Sequence, residues 1–424
     1  MLRLFHTADW HLGQSFHGYD RDHEHGCFLE WLLGMLVERR PDALLIAGDI
    51  FDTVNPSATA QRRYYDFLAR AHAALPQLQI VITAGNHDAA SRLEAPASLL
   101  QSLGITAVGT VARDAEGAID LRKFLVALKD ASGTVRALAL AIPFLRPADV
   151  PQLADAADPY LDGIRELYHR ATRAAEELRD REYSLAALIA LGHCHMQDAT
   201  ESRDSERRIV IGGAEALLVE TFPASLAYVA LGHLHRPQEL AGGRIRYSGS
   251  PLPLSFSEKD YAHRVLEVVL DDTGRATASP LLVPKTATLQ SLPAGAAQPI
   301  AKVLAALAAA EFDARLPAEA HPFLEVRVLD DGPDPTRRRR IEEALAGKPV
   351  RLASIKLESP ARSAGGVEDP AVLRPTLADL SALDPEQIVI AAHRERYKTE
   401  PDPALLSALR EILTAEPHLV SDLG

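Results

Sequence analysis

IVITAGNHD, residues 80–88, runs from four apolar or β-branched residues through Ala84 and Gly85 into Asn86, His87 and Asp88. A short apolar run of this kind reads as a strand buried on both faces. Four other stretches repeat the pattern: LRLFHTADWH (2–11), ALLIAGD (43–49), ALIALGH (187–193) and AYVALGHLH (227–235). Each run passes through Gly, Ala or Thr into a metal-binding side chain: Asp9 and His11, Asp49, His193, or His233 and His235. In open α/β sheets, function gathers at the carboxyl ends of the strands. The expectation is therefore one sheet with two Asp, one Asn and several His along one edge. That is the inventory of a two-metal hydrolytic site.

Composition bounds this reading. The chain has 424 residues, 47% hydrophobic and 24% charged, which suits two or three globular domains. No stretch approaches the ~18–20 unbroken apolar residues of a membrane span. The N-terminus runs directly into a strand, so no signal peptide is expected. Only Cys27 and Cys194 occur, which argues against a disulfide framework and for a reducing cytoplasm. The net charge of −13 is unfavourable for a phosphate-rich partner, but a local basic patch can still serve. Candidate DNA contacts are Arg203, Arg207 and Arg208 after the fourth run and Arg236 after the fifth, with Arg244 and Arg246 nearby. The dense run Arg337 to Arg340 reads better as the solvated face of a helix.

Strands alternate with helical patterns from residue 1 to about 270, the signature of βαβ units. Helices are predicted over 25–39, 58–74, 95–103 and 154–181. A small α/β unit follows, with helices over 300–310 and 334–346 and strands over 323–328 and 350–357. The division expected is 1–278 for the catalytic domain and 279–358 for a small capping domain. SPARSAGGVED (359–369) opens a linker over 359–376, and 377–424 forms a helical tail too short for its own core.

The chemistry follows from spacing. Asp9 and His11 stand at i and i+2, as do His233 and His235, and on a strand such pairs point to one side. Gly48 lets the chain turn tightly before Asp49, whose two oxygens can bridge two cations. Asn86 adds a neutral oxygen. A mixed N/O donor set without thiolate suits Mn, Fe or Zn. His195 reads either as a further ligand or as a neighbour of His193.

DWHLG (9–13), GDIFD (48–52), GNHD (85–88) and GHLH (232–235) resemble the calcineurin-like metallophosphoesterase superfamily. TADWHLGQSF (7–16), LIAGDIFDT (45–53), YVALGHLHRPQ (228–238) and YSGSPLPLSF (247–256) narrow the resemblance to the SbcD family. Its members are nuclease subunits of bacterial SbcCD complexes, related to archaeal and eukaryotic double-strand-break repair nucleases. The tail HRERYKTEPDPALLSALREI (393–412) is similar to the family's segment that docks on the ATPase.

The resemblance implies an α/β fold: a metallophosphoesterase β-sandwich flanked by helices, a small α/β capping domain and a helical tail. It implies one metal on Asp9, His11, Asp49 and His235, and a second on Asp49, Asn86, His193 and His233. Mn2+ is the expected ion. His87 would be the catalytic histidine, donating a proton to the leaving 3′ oxygen, and Asp88 would orient it. Asp52 lies where some relatives carry another histidine. The expected partners are DNA, an SbcC-like coiled-coil ATPase and a second copy. Residues 58–74 and 95–103 resemble the family's dimer-forming helices, with Tyr65, Leu68, Leu99, Leu100 and Leu103 on partly apolar faces. Two other classes remain open: a stand-alone phosphoesterase on a nucleotide or phosphoprotein, and a non-enzymatic DNA-end tether.

Overall fold

The computed structural model describes residues 1–154, 156–202 and 216–359, and, of the C-terminal part, 386, 389, 390, 393, 394, 397 and 399–414. Arg203, Arg207, Arg208, nearly all of the linker and much of the tail lie outside the described residues.

The first half holds strands β1 (Leu2–Thr7), β2 (Ser15–Phe16), β3 (Tyr19–Asp20), β4 (Ala43–Ala47), β5 (Gln79–Thr83) and β6 (Ile105–Val108). Helices α1 (Asp22–Arg39), α2 (Ala58–Ala74), α3 (Ala90–Glu94) and α4 (Ala97–Ser102) separate them. Next come β7 (Leu125–Lys129), β8 (Val135–Ala141), α5 (Pro159–Glu182), β9 (Ala187–His193) and β10 (Leu226–Gly232). The strands β11 (Gln238–Leu240), β12 (Ile245–Tyr247), β13 (Arg264–Leu270) and β14 (Ala276–Leu282) complete this body.

The strands form two six-stranded sheets, the sandwich that the resemblance implies, and not the single sheet that the strand pattern alone suggests. One runs β14-β13-β1-β4-β5-β6 and the other β11-β12-β10-β9-β8-β7. The cores β1-β4-β5-β6 and β8-β9-β10-β12 are parallel. Alternation explains the unbroken apolar runs. Leu4, Leu45 and Val81 face the second sheet and join Leu140 and Leu231 in one core. Phe5, Leu44, Ile46, Ile80 and Ile82 face the other way, onto Leu32 and Leu36 of α1 and Phe67 and Leu68 of α2. On the outer side of the second sheet, α5 contributes Leu167, Tyr168 and Ala171. The layers are helices, sheet, sheet, helix. Each fully buried aliphatic side chain contributes about 1.5–3 kcal/mol relative to exposure.

Several boundaries differ from the sequence expectation. The helix predicted over 95–103 is the shorter α4, and α3 precedes it as a separate helix that stops before Pro96, which has no N–H to continue it. The boundary at 278 falls inside β14, which pairs with β13 throughout Ala276–Leu282. The small unit therefore starts with β15 (Leu289–Leu292), followed by α6 (Ile300–Ala309), β16 (Phe323–Leu329), α7 (Arg337–Leu345) and β17 (Arg351–Glu358). Its three strands are parallel, β15-β16-β17, and pack on α6 and α7 through Val303, Leu307, Val326 and Ile341. In the tail, α8 (Pro403–Thr414) is described and carries exposed Leu405.

Candidate active site

The two sheets bring the five motifs together by their strand ends. β1, β4 and β5 supply the Asp9–His11, Asp49 and Asn86–His87 loops, while β9 and β10 supply His193 and the His233–His235 loop. Strand alternation, expected to aim the i, i+2 pairs, does not do so. Asp9 and His11 lie beyond the end of β1, and His233 and His235 beyond β10. Their aim is set by left-handed backbone: φ is 54° at Asp9, 47° at His11, 51° at Asp49 and 99° at His233. Such conformations cost on the order of 1–3 kcal/mol each and cluster at functional sites. The loops after β1 and β4 are zipped by backbone bonds that offset this cost. Asp9 N donates to Gly48 O (3.0 Å), His11 N to Asp49 O (3.0 Å) and Leu12 N to Ile50 O (2.9 Å).

The side chains converge. Asp9, His11 and His235 form one group of potential metal donors, and Asp9, Asp49 and His193 another. Asp49 Oδ2 lies 3.6 Å from His11 Nε2 and 3.3 Å from His193 Nε2. Asn86 Oδ1 lies 3.0 Å from His193 Nε2 and 3.2 Å from His233 Nδ1. Three of the rings are held from behind. His193 Nδ1 donates to Ala47 O (2.9 Å), His11 Nδ1 to Asp52 Oδ1 (3.1 Å) and His235 Nδ1 to Glu258 Oε1 (3.0 Å). An acceptor at Nδ1 fixes the tautomer and leaves the lone pair on Nε2.

Electrostatics follow from burial. Burial pushes the Asp9 carboxyl up to about 7. Burial also works to raise Asp49, but His193, His11 and His87 outweigh it and hold that carboxylate far below its usual range. His193 is raised to about 9, because the attraction of Asp49 overcomes burial. His11 and His233 are pushed down, first by burial. Among the described residues, buried Asp9 Oδ2 and His11 Nε2 have no hydrogen-bond partner. Buried polar atoms are rarely left so unless they coordinate a metal. The donor set fits a pair of divalent ions.

His87 stands beside this group, its ring 4.8 Å from that of His11. Its Nδ1 donates to Asp52 O (2.7 Å). The orienting role expected of Asp88 is therefore filled by the Asp52 carbonyl. Asp88 is fully buried and accepts backbone N–H groups from Gly85 (2.8 Å), Phe51 (3.0 Å) and Ile50 (3.2 Å). It ties the GDIF and GNHD loops to each other, and its hydrogen bonds among the described residues go to main chain. His195 belongs to none of these donor groups among the described residues; its ring lies 6.4 Å from that of His233 and its Nδ1 3.6 Å from Glu201 Oε1. Glu258, which holds His235, is not singled out by the sequence: it stands just past the YSGSPLPLSF stretch (247–256), in a segment without periodicity, and only its position next to that stretch flags it.

Of the basic candidates, Arg236 is exposed and stacks over Tyr261 at 5.8 Å. Arg244 is spent on the carbonyls of Phe222 and Pro223, and Arg246 on Glu239 and Gly243 O. Each arginine of 337–340 faces a carboxylate: Asp331, Glu342, Glu343 or Asp334. Of the apolar residues in the two expected dimer helices, Leu68 and Leu100 pack internally, whereas Tyr65 and Leu99 are exposed.

The family model described as calcineurin-like phosphoesterase matches residues 2–237. A curated relative, the SbcD component of the SbcCD nuclease of Rhodobacter capsulatus, is 42% identical over 394 residues, covering 92% of this chain and 94% of its own. The chain belongs to the SbcD family. It is a metal-dependent phosphodiester hydrolase of the nuclease class. SbcD-family relatives from Bacillus subtilis and Escherichia coli K12 are 38% and 34% identical, each over 62% of this chain and 65% and 64% of their own. A second family model, described as type 5 capsule protein repressor C-terminal domain, matches residues 286–397, spanning the small unit and part of the tail. No helix among the described residues is long and apolar enough to cross a membrane.

Proposed function

We propose that this chain is the nuclease subunit of a cytoplasmic DNA-end-processing complex, working with an SbcC-like coiled-coil ATPase on duplex ends, hairpins and single strands. The observation that carries the metal reading is the pair of buried donors, Asp9 Oδ2 and His11 Nε2, that have no hydrogen-bond partner among the described residues and stand beside His235 and Asp49. Asp9, His11, Asp49 and His235 would hold one ion. Asp49, Asn86, His193 and His233 would hold the other, and the mixed N/O set favours Mn2+. When bound, the pair offsets the charge of the phosphodiester and lowers the pKa of a water toward neutrality.

The chain's own residues supply the rest. His87 N donates to Asp49 Oδ1 (2.9 Å), which ties the catalytic histidine to the carboxylate that would serve both ions. The bond from Nδ1 to Asp52 O keeps a proton on Nδ1 and leaves Nε2 as the position that takes up a second one, so the donor to the leaving 3′ oxygen is the imidazolium form of His87, which returns to the neutral ring as the proton is given up. Arg236 is the exposed cation beside the His233–His235 loop and the candidate DNA contact; Arg203, Arg207 and Arg208 lie outside the described residues. The small unit caps the site, and the tail with exposed Leu405 on α8 docks on the ATPase. Exposed Tyr65 and Leu99 support a homodimer.

The test is degradation of end-labelled duplex and single-stranded DNA in Mn2+, native chain against His87→Ala. We expect metal content to be unchanged and turnover to fall by about 10²–10⁴-fold, the usual worth of a general acid. Equal rates at equal metal content would remove His87 from the mechanism. No DNA cleavage by the native chain with its ATPase and ATP would overturn the nuclease reading.

A further inference from the structure

His193 is oriented by a main-chain carbonyl at the end of a central strand, a fixed point of the fold. His235 is oriented by a side chain, Glu258, that is fully buried and stands on the loop between β12 and β13. The carboxylate holds two donors at once. Oε1 faces His235 Nδ1 at 3.0 Å and Oε2 accepts Leu254 N at 2.7 Å. Where this loop sits therefore decides where His235 points.

The loop is gripped by a buried arginine. Arg21 Nη1 donates to Pro253 O (2.7 Å) and to Gln14 Oε1 (2.8 Å), and Gln14 Nε2 reaches Leu254 O (3.4 Å). Gln14 N in turn bonds His11 O (3.0 Å), so the same arginine supports both loops of the Asp9–His11–His235 group. Arg21 is paired with Glu24 at 2.7 Å, with side-chain exposures of 0% and 2%. A second arginine completes the cluster from the small unit. Arg351 of β17 lies 4.0 Å from Glu24, and its guanidinium sits 3.5 Å over the Phe323 ring. Phe323 packs on Phe16 at 4.8 Å and Arg21 lies 5.9 Å from its ring. One carboxylate thus serves two guanidinium groups from two different units. Removing either partner leaves uncompensated charge, which makes such a cluster hard to disturb piecemeal.

We propose that Glu258 is a positioning residue for His235, and that docking of the small unit through Arg351, Glu24 and Arg21 sets how tightly the His235 side of the site holds its metal. The inference rests on the metal reading of the site. It makes the cap a determinant of metal affinity at one position and not the other, since His193 and Asn86 have no share in this network.

The experiment is calorimetric titration of MnCl2 into the full chain after chelator treatment. The native chain should show two binding steps. Glu258→Gln has one acceptor where the structure needs two, so either His235 Nδ1 or Leu254 N loses its partner. One step should weaken by about 10–100-fold, the usual effect of removing a carboxylate behind a ligating histidine, while the other stays native. Glu258→Asp, which keeps both acceptors, should recover part of the loss. Arg351→Met, remote from every donor, should weaken the same step by about 3–10-fold, the size of coupling carried by packed networks. Thermal unfolding of the chelated variants checks that each is folded. Native affinity in Glu258→Gln, or equal weakening of both steps, overturns the positioning role. Native affinity in Arg351→Met overturns the link to the cap. A native chain that binds no Mn2+ overturns the metal reading itself.

Discussion

Asp88→Asn separates a loop tie from a catalytic partner. The Asp88 carboxylate accepts Gly85 N and Ile50 N on Oδ2 and Phe51 N on Oδ1. An amide can place its oxygen on one side only. Its NH2 group then faces a backbone N–H, and that donor and the amide's own hydrogens are both left buried without acceptors. Each unsatisfied buried group costs about 1–3 kcal/mol. Part of this is recovered, because the carboxylate is itself uncomfortable: burial and the nearby charge of Asp49 push it up to about 6. The net expectation is a loss of about 2–4 kcal/mol, read as a fall of about 5–10 °C in the thermal midpoint of the metal-free chain. The pH–rate profile on a chromogenic phosphodiester should fall in height with its limbs in place, since His87 Nδ1 is held by Asp52 O and not by Asp88. An unchanged midpoint together with a displaced limb would refute this reasoning and return Asp88 to His87.

Acid stability should follow two other histidines. Burial depresses His6 and His25 to about 3, so both are neutral in the folded state. For a group with a lowered folded pKa, the stabilising contribution is complete above its unfolded value of ~6.5 and is lost as pH falls from there toward 3. Urea titrations between pH 6.5 and 4 should show stability falling by roughly 1.4 kcal/mol per pH unit for each group, and His6→Gln should remove one share of that slope; a flat profile would contradict both. Chelator treatment should abolish phosphodiester hydrolysis and lower the thermal midpoint, because ligation stabilises the folded state by mass action, and Mn2+ should restore both. If the midpoint stays fixed while activity disappears, the ions contribute nothing to holding the five loops together.

What the chain reveals as a sequence depends on whether a feature is local. The strand runs ending at Thr7, Ala47, Thr83, His193 and Gly232 are buried on both faces, so composition alone shows them. For the same reason they look alike, and nothing in them separates β1, β4 and β5 from β9 and β10 into two sheets. The strand β14 alternates weakly and is mostly exposed, so it carries no apolar signal and a boundary at 278 cuts through it. The candidate donors are legible because Asp, Asn and His at strand ends have few other uses. Ligand direction is not, since positive φ at Asp9, His11, Asp49 and His233 replaces the strand geometry that i, i+2 spacing assumes. Adjacency misleads at Asp88, which neighbours His87 in sequence but bonds the main chain of another loop. Glu258 and Arg351 act through tertiary contacts, and the one signal in the sequence is that Glu258 closely follows the YSGSPLPLSF stretch.

The glycines of the motifs explain why two sheets can share one site. Gly48 does turn the chain, with φ of 87°. Gly232 does something else. A Cβ placed there would run into the carbonyl oxygen of Ala47 and come within 2.9 Å of His193 Nδ1. Those two atoms are themselves a hydrogen-bonded pair at 2.9 Å, the bond that aims His193. The bare backbone at 232 is therefore the clearance across which the end of β10 meets the end of β4. Gly232→Ala should force the sheets apart at the site, because a strand carbonyl cannot rotate away as a side chain can. The cost expected is that of overpacking, about 1–3 kcal/mol, and the functional loss should be larger than the stability loss. With His193 displaced, the Asn86–His193–His233 position should lose Mn2+ while Asp9, His11 and His235 retain theirs. Titration showing two native-affinity ions in Gly232→Ala would mean that the sheets have slack at this point, and that the glycine serves some need other than close approach.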